Sequence, residues 1–167
     1  MYAFDRGLKN TYASLIPGNL WNQYAMDADA KGNVRAFVSD RRDGKNTNAL
    51  YIISPKGTIA GKLENIAPGE AQHGVRFIDN YAYLVTFRQI DPLFVIDVSD
   101  ATAPKIMGEL KMPGYSSYLH PYGNMEQGVQ YLIGLGYNTR TGEWGGEVQD
   151  GIKLDLYKVD FNTKDAQ

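Results

Sequence analysis

The chain has 167 residues, enough to bury a sizeable core as one domain, and 17 Lys plus Arg against 19 Asp plus Glu leave a net charge of −2. That balance offers no clustered basic face for nucleic acid, and zero cysteine excludes disulfides, thiolate metal sites and a cysteine nucleophile. No apolar run approaches the roughly 20 residues of a membrane span, and the opening MYAFDRGLKN lacks the basic-then-apolar order of a signal peptide, so the chain is expected to be cytoplasmic or a piece of something longer.

Twelve Tyr, 6 Phe, 18 Gly and 7 Pro, with no long alanine-rich stretch, lean towards β-structure. Residues 1–11 carry no strong pattern, and 11–15 read as a strand stopped by Ile16-Pro17-Gly18, a Pro-Gly turn signal. Strands are predicted over 20–26, 34–39, 49–53 and 58–64. Their breaks are a polar turn at 27–33, a loop at 40–48, the turn Ser54-Pro55-Lys56-Gly57 and a loop at 66–70. The plan then repeats: strands over 74–78, 81–87, 93–98 and 105–111, with Asp79-Asn80 as a two-residue turn and Met112-Pro113-Gly114 closing the unit. The nearly continuous apolar run 93–98 predicts burial on both faces. A third copy starts at 115–119, passes His120-Pro121-Tyr122-Gly123, continues over 129–136, and reaches its third strand at 151–159 after a Gly-rich polar insertion at 138–150.

The repeat is measurable. Leu50-Tyr51-Ile52-Ile53-Ser54 matches Leu93-Phe94-Val95-Ile96-Asp97 at an offset of 43, Gly61-Lys62-Leu63 matches Gly108-Glu109-Leu110 at 47, and residues 156–160 match 93–97 at 63. Four strands every 43–50 residues predict an all-β chain, a β-propeller of about three four-stranded antiparallel blades. One four-stranded sheet cannot bury both faces alone, whereas stacked blades can. The expected division is a strand of a preceding blade at about 10–16 and blades at about 19–66, 72–113 and 115–161, the last lacking its fourth strand. Three blades are too few for a ring of about four to eight. Either a larger propeller supplies the rest, or the N-terminal strand straps the last sheet and a dimer supplies six blades.

TFRQIDPLFVIDVSD (86–100) carries a specific resemblance, supported by GKLENIAPGE (61–70), VRFIDNYAYLVTF (75–87), GELKMPGYSSYLHP (108–121), LIGLGYNT (132–139) and IPGNLWNQYAMD (16–27). The sequence resembles the bacterial and archaeal secreted proteins with a C-terminal β-propeller, a family distantly related to WD-40 repeats. The resemblance implies an extracellular or cell-surface protein behind an N-terminal membrane or signal segment, and it brings no catalytic residues. The missing segment favours a fragment, and Glu143-Trp144-Gly145-Gly146 departs from the family pattern.

His73 and His120, the two histidines, fall at equivalent-looking blade starts, but no HxH or HExxH spacing joins them, so structural roles are expected and no metal is implied. Arg76, Arg88, Asp91 and His120 are the binding candidates, since propeller rims and channels gather polar groups. Arg88 and Asp91 are expected to satisfy each other across the Asp91-Pro92 turn. Asp27-Ala28-Asp29-Ala30-Lys31-Gly32 begins like a calcium loop but puts Lys31 at a ligand position and Val38 at the twelfth. Asp97 and Asp160 are expected to cap turns by accepting from backbone N–H groups. No GxSxG, P-loop or GxGxxG signature occurs, and no cofactor is implied. Tyr115, Tyr118, Tyr122, Tyr131 and Tyr137 read as inter-blade packing, with exposed rim members open to a sugar or peptide. The expected function is a non-enzymatic binding or scaffold module for a protein or cell-envelope component, with self-association through open blade faces. The alternative is a hydrolase- or lyase-type propeller enzyme with polar residues in its central channel.

Overall fold

The structure, a computed structural model, describes residues 2–4, 7, 9–42, 44–87, 91–112, 114–142 and 147–162. Strands β1 (Tyr2–Phe4) and β2 (Asn10–Ala13) pair antiparallel as a two-stranded sheet. The first four-stranded sheet holds β3 (Met26–Ala28), β4 (Val34–Arg42), β5 (Lys45–Ile53) and β6 (Ile59–Ile66), each bonded to its neighbour in sequence. The second repeats that order with β7 (Ala71–Ile78), β8 (Tyr81–Phe87), β9 (Asp91–Asp97) and β10 (Lys105–Met112). The third holds β11 (Tyr115–Glu126), β12 (Val129–Thr141) and β13 (Glu147–Asp160).

Turn chemistry sets the registers. Gln127 and Gly128, which join β11 to β12, both have positive φ (49° and 78°), the geometry that matches the twist of a tight hairpin. Asp79 sits at φ 49° between β7 and β8, as Asp-Asn predicts.

The second sheet is the middle layer, and period-2 alternation splits its side chains between two cores. Val75, Ala82, Leu84, Phe94 and Ile96 face the first sheet and pack with Phe37, Leu50, Ile52 and Ile66. Tyr83, Val85, Leu93 and Val95 face the third, against Leu119, Leu132, Tyr157 and Val159. Residues 92–96 of β9 are all buried, the two-sided burial that its apolar run predicts. On the far side of the first sheet, Tyr12 and Ile16 cover Val38, Tyr51 and Ile53. Two further contacts draw the first and second sheets together. A Cβ on Gly61 would collide with the Ala101 carbonyl oxygen, so only glycine lets β6 approach that loop. Arg35, buried on β4, forks onto Asp27 (2.7 and 2.6 Å) and donates to the Asp79 carbonyl at 2.6 Å across the interface.

Four expected elements differ. The strand over 20–26 is a one-turn 3-10 helix, Gln23–Ala25, followed by the short β3. The Asn22 side chain accepts from the Tyr24 N–H at 2.8 Å, a local bond that competes with a ladder. Beyond the three pairs that β3 makes, the edge of β4 is met by an isolated bridge, Asn19 to Ser39. The expected loop 40–48 is mostly hairpin, paired out to Arg42–Lys45. The break at 120–123 does not occur, because β11 runs through it with its irregularity between Tyr122 and Glu126. The insertion 138–150 extends the β12–β13 ladder to Thr141–Glu147. In each hairpin, polar side chains mask a backbone ladder that needs no apolar residue.

The crossover from β6 to β7 is held from beneath. Asn48, buried, donates to the carbonyls of Ile66 and Glu70, both at 3.1 Å. Asn65, Ala67 and Gly69 in that crossover have φ of 59°, 45° and 89°. Asn48→Ala leaves buried carbonyls unpaired and removes the brace on a left-handed loop. We expect a loss of about 2–3 kcal/mol, read as a lower urea midpoint with an unchanged slope. A shift below about 0.5 kcal/mol would mean that the loop holds itself.

Candidate binding rim

Antiparallel alternation brings the β4–β5 hairpin end, the starts of β7 and β11 and the ends of β8 and β12 to one rim. Ala71 pairs with Phe87 and Tyr115 with Tyr137, while the Gly69 N–H donates to the Asn46 carbonyl at 2.8 Å. A bulge between Gln72 and Gly74 leaves His73 without a ladder partner and re-aims its ring. A Cβ on Gly74 would lie 2.7 Å from the Ser116 carbonyl oxygen, so β7 and β11 meet closely beside it. The His73 ring lies 4.5 Å from Tyr115, 5.7 Å from Phe87 and 6.2 Å from Trp21, centroid to centroid. Tyr115 continues to Tyr137 at 5.7 Å. Trp21 and Tyr137 are exposed, so the cluster faces solvent at one side.

Beside it lies a cavity of about 200 Å³ lined by Asn19, Trp21, Ser39, Asp40, Arg41, Asn46, Ala71 and Gln72. Gln72 is only 2 % exposed, and neither its Oε1 nor its Nε2 has a protein partner. An unpaired buried amide is costly, so this side chain is the polar group at the rim most in need of a ligand or water.

Burial holds the His73 imidazole below its ordinary value of 6.5. The unfolded chain therefore takes up this proton first as pH falls. His73's contribution to stability is full above 6.5 and is lost as pH drops towards the folded value. For Asp97, burial pushes upward, but hydrogen bonds from Ser99 and the charge of Lys105 win and hold the carboxyl below 3.8. Its contribution is present above 3.8 and fades below that. Thermal melts should fall from pH 7 to 5 in the wild type and less steeply in His73→Phe. Parallel profiles would mean that His73 does not set the pH dependence.

The structure places the four candidates unequally. Arg88 and the side chain of Asp91 lie outside the described residues. Arg76 lies over the Tyr24 ring at 5.5 Å, and Tyr24 meets Tyr118 edge-on at 5.5 Å. The Tyr118 hydroxyl and His120 Nδ1 are hydrogen-bonded at 3.0 Å. Arg76 and His120 thus end one chain of stacked groups, although 44 residues separate them in sequence. They are equivalents: bulges between Gln72 and Gly74 and between Ser116 and Tyr118 align the two strands, which sets His120 opposite Arg76 and Ser117 opposite His73. The expected equivalence of His73 and His120 is therefore corrected. A bulge inserts a residue without changing composition, so counting from a turn misses it.

Asp27 is engaged by Arg35, and Asp29 accepts from the backbone of Lys31 and Asn33 and from the Asn33 side chain at 2.7–2.9 Å. Among the described residues no group of three or more His, Asp or Glu gathers around a metal position. Asp97 and Asp160 each accept a backbone bond two residues on, from Ser99 (2.9 Å) and Asn162 (3.0 Å). Sequence reasoning missed Gln72, Trp21 and Phe87, since nothing in their spacing marks them.

The sequence profile of the beta propeller domain family matches residues 5–165. The chain belongs to the beta propeller domain family. The three stacked sheets are its blades. The propeller is 42 % identical over 153 residues to an uncharacterized protein of Methanocaldococcus jannaschii, covering 89 % of this chain and 22 % of the relative. It is 41 % identical over 105 residues to an uncharacterized protein of Archaeoglobus fulgidus, covering 63 % of this chain and 16 % of that one. The chain thus spans about a fifth of the length of the curated relatives it matches. No solved structure matches it. No helix among the described residues is long and apolar enough to cross a membrane.

Proposed function

We propose that this propeller is a non-enzymatic binding and scaffold module of a secreted or cell-surface protein, related to WD40-like repeats. It engages a protein or cell-envelope component through the aromatic rim. The observation that carries this reading is the cluster of Trp21, His73, Phe87, Tyr115 and Tyr137, packed on its inner side and open to solvent at Trp21 and Tyr137. Rigid aromatics at a rim supply contact area at low entropic cost. Four-stranded blades in tandem support the WD40-like relation, and the resemblance to secreted propellers supports the surface location.

The test is retention of envelope and secreted fractions from an archaeon carrying a relative. A retained partner lost on Tyr137→Ser or Trp21→Ala supports the rim. Retention of nothing, or retention indifferent to both variants, would overturn it. Detection of the native protein only in the cytosolic fraction would overturn the location.

A further inference from the structure

We propose that the cavity between the first and second blades binds one neutral pyranose unit of a glycan, a reading that rests on the binding-module function and names its ligand class. Gln72 carries the argument. Gln72 lines the cavity, and its amide, buried and partnerless just behind that wall, carries a donor and an acceptor on one carbon. Neighbouring sugar hydroxyls, each able to donate and accept, match that pair. Asp40 and Arg41 bring opposite charges to the same wall, which favours a neutral ligand. Asn46 adds a second carboxamide, and exposed Trp21 supplies a flat apolar side for the C–H face of a sugar ring. At about 200 Å³ the cavity is smaller than the roughly 300–1,000 Å³ of a drug-sized site, so it suits a single unit.

A peptide fits less well. Strand addition needs an open edge, and the bridge between Asn19 and Ser39 meets β4 where it borders the cavity. Beyond Trp21 and Ala71 the lining is polar, with no pocket for an apolar side chain.

The test is titration of the 167-residue chain with methyl glycosides of neutral hexoses and N-acetylhexosamines, followed by NMR. Saturable binding is expected with a dissociation constant on the order of 1 mM, weakened about tenfold by Gln72→Leu and by Trp21→Ala. Gln72→Leu keeps the bulk and removes the amide. Should it unfold the chain, Trp21→Ala carries the test, because that side chain is exposed. No saturable binding to any glycoside, or binding unchanged in the variants that fold, would overturn the site and leave the cavity to water. Envelope retention that survives excess glycoside and Gln72→Leu would overturn the sugar site while leaving the binding module standing. Glycoside binding without any retained envelope partner would support the site and fail the broader reading.

Discussion

Arg35→Ala is expected to destabilise the propeller by about 3 kcal/mol. The guanidinium spans the interface of the first and second blades, as the Arg76–Tyr24 contact also does, but it alone makes hydrogen bonds on both sides among the contacts described. It holds Asp27 by a two-bond fork, bonds the Asp79 carbonyl, and lies 5.0 Å over the Phe77 ring, which stacks on Phe37 at 5.4 Å. Removing it leaves a carboxylate and a carbonyl short of partners and opens a gap beside an aromatic stack. Asp27 keeps about a third of its side-chain exposure, so water recovers part of the loss, and the effect sits at the low end for a broken buried pair. Arg35→Lys should recover little, because a single ammonium cannot make the planar fork and reach Asp79 together. Urea unfolding of Arg35→Ala, Asp27→Asn and the double variant separates the ion pair from the rest. A coupling energy above about 1 kcal/mol is expected. Additive losses would mean that Arg35 works through packing and the Asp79 bond alone.

What was legible in the sequence follows from how local each signal is. The apolar run of β9 and turns such as Asp79-Asn80 act over two to six residues, so the four-strand plan could be read without tertiary information. The 3-10 turn at Gln23–Ala25 was not legible, because Trp21, Gln23 and Ala25 alternate as a strand would while Asn22 captures the backbone instead. The hairpin ends around Arg42 and Thr141 were hidden for the opposite reason: exposed ladders accept any polar side chain.

The rim was less legible than the fold. Trp21 and His73 lie 52 residues apart, and their contact exists only because a bulge turns His73 out of the ladder. Gln72 looks like any polar residue on a half-exposed strand, and only its burial without a partner singles it out. Arg76 and His120 lie in different repeats with different neighbours, yet they occupy equivalent positions and share a stack through Tyr24 and Tyr118. The tyrosines read as packing divide: Tyr118 and Tyr115 pack, while Tyr122, Tyr131 and Tyr137 are exposed.

Ile152→Lys with Leu154→Glu is expected to convert a self-associating chain into a monomer at unchanged net charge. The inner face of the third blade is sealed by the second, but its outer face carries an apolar row. Ile152, Leu154 and Leu156 on β13 are 80 %, 72 % and 64 % exposed and pair with Tyr137, Leu135 and Ile133 on β12. Tyr12 and Ile16 cover the corresponding outer face of the first blade, so the two ends of the stack differ. An exposed row of this kind drives association through burial, at about 25 cal/mol per Å² of apolar surface removed from water. Sulfate should strengthen that association, whereas contacts dominated by charge should weaken with salt. Because both substituted side chains are largely exposed, the fold should change by no more than about 0.5 kcal/mol, which a matched urea midpoint would verify. Light scattering across micromolar concentrations is the deciding measurement. A wild-type chain that stays monomeric throughout would mean that this face is tolerated by solvent and does not drive assembly.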